Sequence, residues 1–313
     1  MEFSHKPVMV DRCIELLDIK PNGIYVDCTL GGGGHSARIV EKLTTGKLIA
    51  IDKDNDALSY CKEKFSSDIK SGKVILAHND FKRFDEVLNS LEIDSVDGFM
   101  IDLGVSSWQL DNKERGFSYM SDNCPLDMRM DQTQSLTAET IVNTYSLQQL
   151  FELIRNFGED NFAQNIAKNI VREREISPIV TTGRLADIID KSIPYAVKKT
   201  GGHPAKRTFQ ALRIEVNKEL DDLDGVLTRM TNRLNTSGRI VVLTFHSLED
   251  RIVKHSFVTL STGCICPPSY PICICGHKAK IKLITRKPIT ATDDELTDNP
   301  RSASAKLRVA ERI

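Results

Sequence analysis

The stretch from Ile24 to Ser36, IYVDCTLGGGGHS, passes from an apolar, β-prone segment through an aspartate into four consecutive glycines. Few folds accommodate that order. Ile24, Tyr25 and Val26 favour a strand, and Pro21-Asn22-Gly23 marks where it begins. Gly31 to Gly34 free the loop to take positive φ and, lacking Cβ atoms, let a ligand press against the main chain. Ser36 is placed to cap a helix over SARIVEKL, with Ile39, Val40 and Leu43 on one face and Gly46 as its stop. Such a corner is where open α/β sheets bind nucleotides, although glycine runs after strands also serve as plain tight turns. No Gly-Lys-Ser/Thr follows, which argues against a phosphate-gripping loop and for a bound nucleoside.

Further apolar runs at Leu48 to Ile51, Val74 to Ala77 and Val96 to Ile101 repeat at the spacing of βα units, with helical patterns at Ala57 to Phe65 and Phe84 to Leu91. A short amphipathic helix over Val8 to Leu17 precedes them. Asp52 closes the second strand at the distance from the glycines where an acid accepts ribose hydroxyls; as a plain strand-end residue it would cap a helix near Asn55. Phe81, after the third strand, could lie on an adenine ring or simply in the core. Asp102 ends the fourth strand and is followed by the small, polar GVSS loop, the place for group-transfer chemistry, or for a cap or turn residue.

The rhythm then breaks. The next convincing strand is Arg239 to Phe245, and the helical pattern from Thr208 to Leu234 before it belongs with the sheet. The region between reads as an insertion, loop-like at first and then helical at 136–145, 147–157, 161–175 and 183–191. The expected division is a catalytic domain of residues 1–108 and 207–313 around an inserted helical domain, 109–206, that recognises substrate. From Lys198 to Lys218 there are six Lys or Arg against one acid, Glu215, either a polyanion dock or a solvated face. His246 ends the fifth strand, and Ser247 behind it is a suitable N-cap. His246 could touch substrate or be a structural histidine.

Cys264, Cys266, Cys273 and Cys275 form two Cys-x-Cys pairs around a proline-rich turn. Four sulfurs could converge on one zinc, but reduced thiols or reversible disulfides fit the spacing as well, and no metal is assigned. Lys282 to Thr285 and Lys306 to Ala310 read as closing strands with a helical turn at Asp293 to Leu296, and five cations without an acid lie from Lys278 to Lys287. At 313 residues with a net charge of −1, the chain has room for two domains and no global field that names a partner, so nucleic acid would have to meet local patches. The start of the sequence has no cationic stretch leading into an apolar core, and there is no long apolar run; the expectation is a cytoplasmic protein without a membrane partner.

With these pieces in place, the sequence resembles the bacterial 16S rRNA cytosine-N4 methyltransferase family. The resemblance rests on HKPVMVDRC, DCTLGGGGHS, AIDKD, DLGVSSWQLD, RGFSYM, PLDMRMD, HPAKRTFQALRIEVNKEL, TFHSLEDRIVK and NPRSASAKLRVAER, spread in order over nearly the whole chain. It implies a class I (Rossmann-like) α/β methyltransferase sheet with an inserted, mostly helical second domain. It also implies methyl transfer from S-adenosyl-L-methionine to the N4 amine of a decoding-site cytidine in 16S rRNA of the small ribosomal subunit, and leaves a homodimer open. The implied cofactor contacts are Gly33, Gly34, His35, Asp52, Phe81, Asp102 and Gln109, with Asp102 also the candidate acceptor for the N4 proton. RNA contacts are expected at Ser106, Ser107, Lys198, Lys199, His203, Lys206, Arg207 and His246. Trp108 departs from the proline common in relatives, and the cysteine cluster, absent from some of them, is not expected to be catalytic.

Two rival readings share part of this pattern. A nicotinamide-dependent oxidoreductase would usually show Gly-x-Gly-x-x-Gly opening straight into a helix, whereas these glycines are contiguous and followed by His35. A catalytically silent RNA-binding assembly factor would be expected to have lost pocket residues, yet Asp27, Asp52 and Asp102 are all present.

Overall fold

The computed structural model describes residues 7–120, 123–195, 202–264, 266–267, 272 and 274–313. Its seven strands are β1 (Ile24–Asp27), β2 (Lys47–Asp52), β3 (Val74–His78), β4 (Val96–Asp102), β5 (Leu234–Thr244), β6 (Ile281–Leu283) and β7 (Lys306–Arg312), in the sheet order β3-β2-β1-β4-β5-β7-β6. β3, β2, β1, β4 and β5 are parallel, and β7 enters antiparallel between β5 and β6. This is the Rossmann-like sheet that the βα rhythm and the resemblance predict.

Side chains alternate across the strands and bury both faces. Val26, Ile49, Ile51, Phe99, Ile101, Ile240 and Val242 pack with the helices Phe84–Ser90, Leu223–Asn232 and Ser247–Ser261. Tyr25, Leu48, Ala50, Met100, Val241, Leu243 and Val309 pack with Val10–Leu17, Gly34–Lys42 and Asn55–Lys64. Burial on both sides explains why these strands read as continuous apolar runs, not as alternating ones.

The chain forms two compact units, residues 1–104 with 222–313, and residues 105–221. The second unit has a core of its own, built around Ile141, Leu150, Ile154, Ile166, Ile170, Leu185, Ile189 and Leu212 on the helices Ala138–Thr144, Leu147–Phe157, Ala163–Ile176, Thr182–Ser192 and Lys206–Asn217. The divisions fall at 105 and 221, not at 109 and 206. The expected single helix from Thr208 to Leu234 is two helices, because Lys218 and Asp222 both take left-handed backbone, with φ of 50° and 55°. Arg213 clasps Glu219 through Nε and Nη2 at 2.8 and 2.9 Å, holding the turn that follows the first of them. The second helix, Leu223–Asn232, packs on the sheet, and the first contributes to the core of the helical unit.

Strand β5 begins at Leu234, earlier than the expected Arg239. Leu234 pairs with Val96, and the register then slips before Gly98 meets Arg239. The polar Asn235-Thr236-Ser237-Gly238 in the slip hides the strand's first residue in the sequence. No helix of the described residues is long and apolar enough to cross a membrane.

Candidate active site

The carboxyl ends of β1, β2 and β4 converge on the glycine loop. Gly31 donates its N–H to Asp52 Oδ2 at 2.7 Å, which ties the loop to the end of β2. Asp52 Oδ1 accepts the N–H of Asp54 at 2.9 Å, and Asp54, not Asp52, caps the next helix. Burial raises the Asp52 carboxyl to about 6 against these backbone donors.

Gly33 takes φ +67° and stands as N-cap of Gly34–Lys42, so the helix begins before Ser36 and ends at Lys42, short of Gly46. A Cβ on Gly33 would sit 2.8 Å from the Phe65 ring, and the φ itself favours glycine. Ser36 is therefore inside the helix instead of capping it. Its hydroxyl donates to Asp27 Oδ2 at 2.6 Å, and Thr29 N–H donates to Oδ1 at 3.1 Å. The helix start has no side-chain cap, leaving first-turn N–H groups without intrahelical acceptors. Lys64 stitches the loop from the other side, donating from Nζ to Gly32 O at 2.8 Å and to Gly33 O at 3.1 Å. Sequence reasoning gives Lys64 no weight, because a lysine on a surface helix carries no signal of such a contact.

At the end of β4, the Asp102 N–H donates to the Thr29 hydroxyl at 2.7 Å, bringing the carboxyl beside the loop. Asp102 Oδ2 lies 3.7 Å from His35 Nδ1, while Oδ1 is buried without a hydrogen-bond partner among the described residues. Burial, with Asp27 and Glu249 nearby, pushes the Asp102 carboxyl up to about 8. His35 is lowered to about 4 by burial and is neutral at pH 7; its Nε2 lies 3.1 Å from Val8 O. A buried carboxyl with one unsatisfied oxygen, next to a neutral imidazole and near other acids, has the chemistry to seat a cation. Acceptors of this kind fit the sulfonium or ammonium of S-adenosyl-L-methionine, and Asp52 retains acceptor capacity for ribose hydroxyls.

Phe81 opens the short turn Phe81–Arg83 after β3 and packs partly against the sheet's core. His246, in the sheet unit, caps Ser247–Ser261 itself, with Nδ1 accepting from Glu249 N–H at 3.4 Å and Nε2 3.0 Å from Glu249 Oε1; Ser247 is the first helical residue, not the cap.

In the helical unit, Ser106 caps the turn Ser107–Asp111, and Gln109 is 4% exposed with Oε1 accepting the Ser106 N–H at 3.0 Å. His203 stacks on Tyr119 with ring centroids 4.6 Å apart. Lys206 and Arg207 are exposed at the start of Lys206–Asn217, with Arg207 reaching Glu159 O at 2.9 Å. Lys198 and Lys199 lie outside the described residues. Several of the motif residues here are internal ties. Asn217 accepts Met130 N–H and donates to Met128 O, each at 2.8 Å, and the buried Arg115 donates to Arg129 O and Met130 O.

A family model described as the MraW methylase family matches residues 2–313. Ribosomal RNA small subunit methyltransferase H of Lachnospira eligens is 54% identical over 314 residues, covering 100% of this chain and 99% of its own length. The proteins of the same description from Clostridium botulinum (strain Kyoto) and Clostridioides difficile are each 52% identical, over 314 and 318 residues, with 100% of both chains covered in each case.

Proposed function

The chain belongs to the MraW methylase family, S-adenosyl-L-methionine-dependent enzymes that methylate ribosomal RNA, and from that premise we propose that it methylates the N4 exocyclic amine of a decoding-site cytidine in 16S rRNA of the small ribosomal subunit, in the cytoplasm. The observation that carries the reading is the Asp102 carboxyl at the end of β4, with one buried oxygen unsatisfied beside the glycine loop.

When bound, the cofactor supplies an electrophilic methyl on a positively charged sulfur. Gly33, Gly34, His35, Asp52, Phe81, Asp102 and Gln109 are the residues that would hold it, and the Asp102 carboxyl would offset its positive charge. Cytosine N4 is a poor nucleophile because its lone pair is delocalised into the ring. The chain's work is therefore chiefly alignment, for which holding two reactants in line is worth roughly 7–11 kcal/mol of barrier. As the N4–C bond forms and the S–C bond breaks, the amine gains a positive charge and must lose a proton. The positive charge would pass from sulfur to N4 and disappear only when the proton leaves, so the ionised Asp102 carboxylate would take that proton directly from the methylated amine as the neutral thioether departs. Burial gives this carboxyl a higher proton affinity than an ordinary aspartate, which suits it to that duty.

Reaching a base edge requires an unpaired or extruded nucleotide. The basic residues Lys198, Lys199, Lys206 and Arg207 would hold the RNA backbone, and Ser106, Ser107, His203 and His246 are the other RNA contacts in this reading.

The test is to incubate the protein with methyl-labelled S-adenosyl-L-methionine and small ribosomal subunits from cells lacking the enzyme, then digest the rRNA. Label is expected in N4-methylcytidine. Label in another nucleoside, or none despite cofactor binding, would overturn the proposal.

A further inference from the structure

Between the helix Ser247–Ser261 and strand β6, the chain passes through CICPPSYPICICG. Three of its cysteines come together, with the Sγ atoms of Cys264, Cys266 and Cys275 all within 4.8 Å of one another. The Cys264 and Cys275 sulfurs are 3.8 Å apart. That separation is far beyond the roughly 2.05 Å of a disulfide, and it matches the edge, about 3.8 Å, of a tetrahedron whose corners stand about 2.3 Å from a central zinc.

The surroundings favour thiolates. Cys266 donates its backbone N–H to Cys264 Sγ at 3.4 Å, and Ile274 donates its own to Cys266 Sγ at 3.4 Å. Main-chain N–H groups aimed at sulfur stabilise negative charge there, as they do around metal-bound cysteines. Each pair is a Cys-x-Cys, and the second N–H donor, Ile274, stands between the cysteines of the later pair. The segment makes little apolar core of its own, since Ile272 and Ile274 are 75% and 74% exposed. A cross-link through sulfur is what would hold it.

We propose that Cys264, Cys266 and Cys275 bind a zinc ion as thiolates, making this a structural metal site at the foot of β6, apart from the methyl-transfer chemistry. Binding displaces the thiol protons to solvent as three Zn–S bonds form; no electron changes hands. The tetrahedron keeps one further position, and Cys273, the remaining cysteine of the segment, lies outside the described residues.

Full-length protein, purified without chelator or affinity metal, should carry about one zinc per chain by elemental analysis. A mercurial thiol reagent should release it stoichiometrically. Replacing it by cobalt(II) should give the visible bands of a tetrahedral site and a strong sulfur-to-metal charge-transfer band. The double variant Cys264→Ser with Cys275→Ser should fall to background zinc while still binding S-adenosyl-L-methionine. Because the cobalt spectrum is read on the unmutated chain, a folding failure of the variant would not shelter the idea. Native protein without stoichiometric zinc, zinc retained in the double variant, or an intact mass showing these cysteines oxidised to disulfides would each overturn it.

Discussion

Asp102 in its buried carboxylate form works against folding, a cost that a bound cation would offset. Its carboxyl has a pKa of about 8 in the fold against an ordinary 3.8, so the folded state holds an extra proton between those values and stability falls as pH rises through that window. Asp102→Asn should therefore raise the stability of the cofactor-free protein at pH 8 by on the order of 1–2 kcal/mol, since the side chain keeps some solvent exposure. The same variant should lose methyl transfer, and calorimetric unfolding beside a turnover assay checks both. A bound cation favours the ionised carboxylate, so cofactor binding below pH 8 releases a proton. Affinity should climb by up to about tenfold per pH unit towards pH 8 and then level off, as titration calorimetry in buffers of different ionisation enthalpy would show. At this scale the sequence speaks where geometry is set by position. Asp52 and Asp102 are legible because they end strands, whereas Ser36, which has the chemistry of a cap, spends its hydroxyl on Asp27 because the glycine before it can begin the helix unaided.

The glycine loop is held by Lys64 through two carbonyls, a contact made by the far end of a flexible side chain and invisible to periodicity. Lys64→Met keeps the stem and removes the donor; cofactor affinity should fall by about threefold to tenfold, the worth of roughly 1 kcal/mol of hydrogen bonding, with little change in the helical unit. Unchanged affinity would show that the loop needs no such stitch. In the other unit, Lys206→Glu with Arg207→Glu should weaken RNA binding strongly and flatten its salt dependence while sparing the cofactor; equal RNA affinity would remove those residues from the interface. The parallel strands were readable from their apolar runs, and helix Leu147–Phe157 from its spacing. The split of 208–234 was not readable. Left-handed Lys218 and Asp222 leave no glycine or proline to announce the break, and Phe209, Leu212, Leu223 and Leu227 share a helical spacing although they serve different cores.

For the whole molecule, two separately cored units predict that unfolding is not a single all-or-none event. Scanning calorimetry should resolve two components, and S-adenosyl-L-methionine at 100 times its dissociation constant should raise the sheet unit's by about 2.7 kcal/mol equivalent. One transition that moves as a block would contradict this. The order of the chain adds a consequence in time. β4 has β1 on one side and β5 on the other, and Asp102 lies in register with Leu243. A ribosome adding about 5–20 residues each second needs on the order of 10 s to travel from Asp102 to Leu234. Throughout that interval the nascent β4 presents a bare edge, the kind of surface on which chains aggregate, while the helices in between have all they need to collapse locally. An enzyme that methylates ribosomal RNA thus has one of its own strands left waiting by a ribosome, until the segment that pairs with it, Leu234–Thr244, has been delivered.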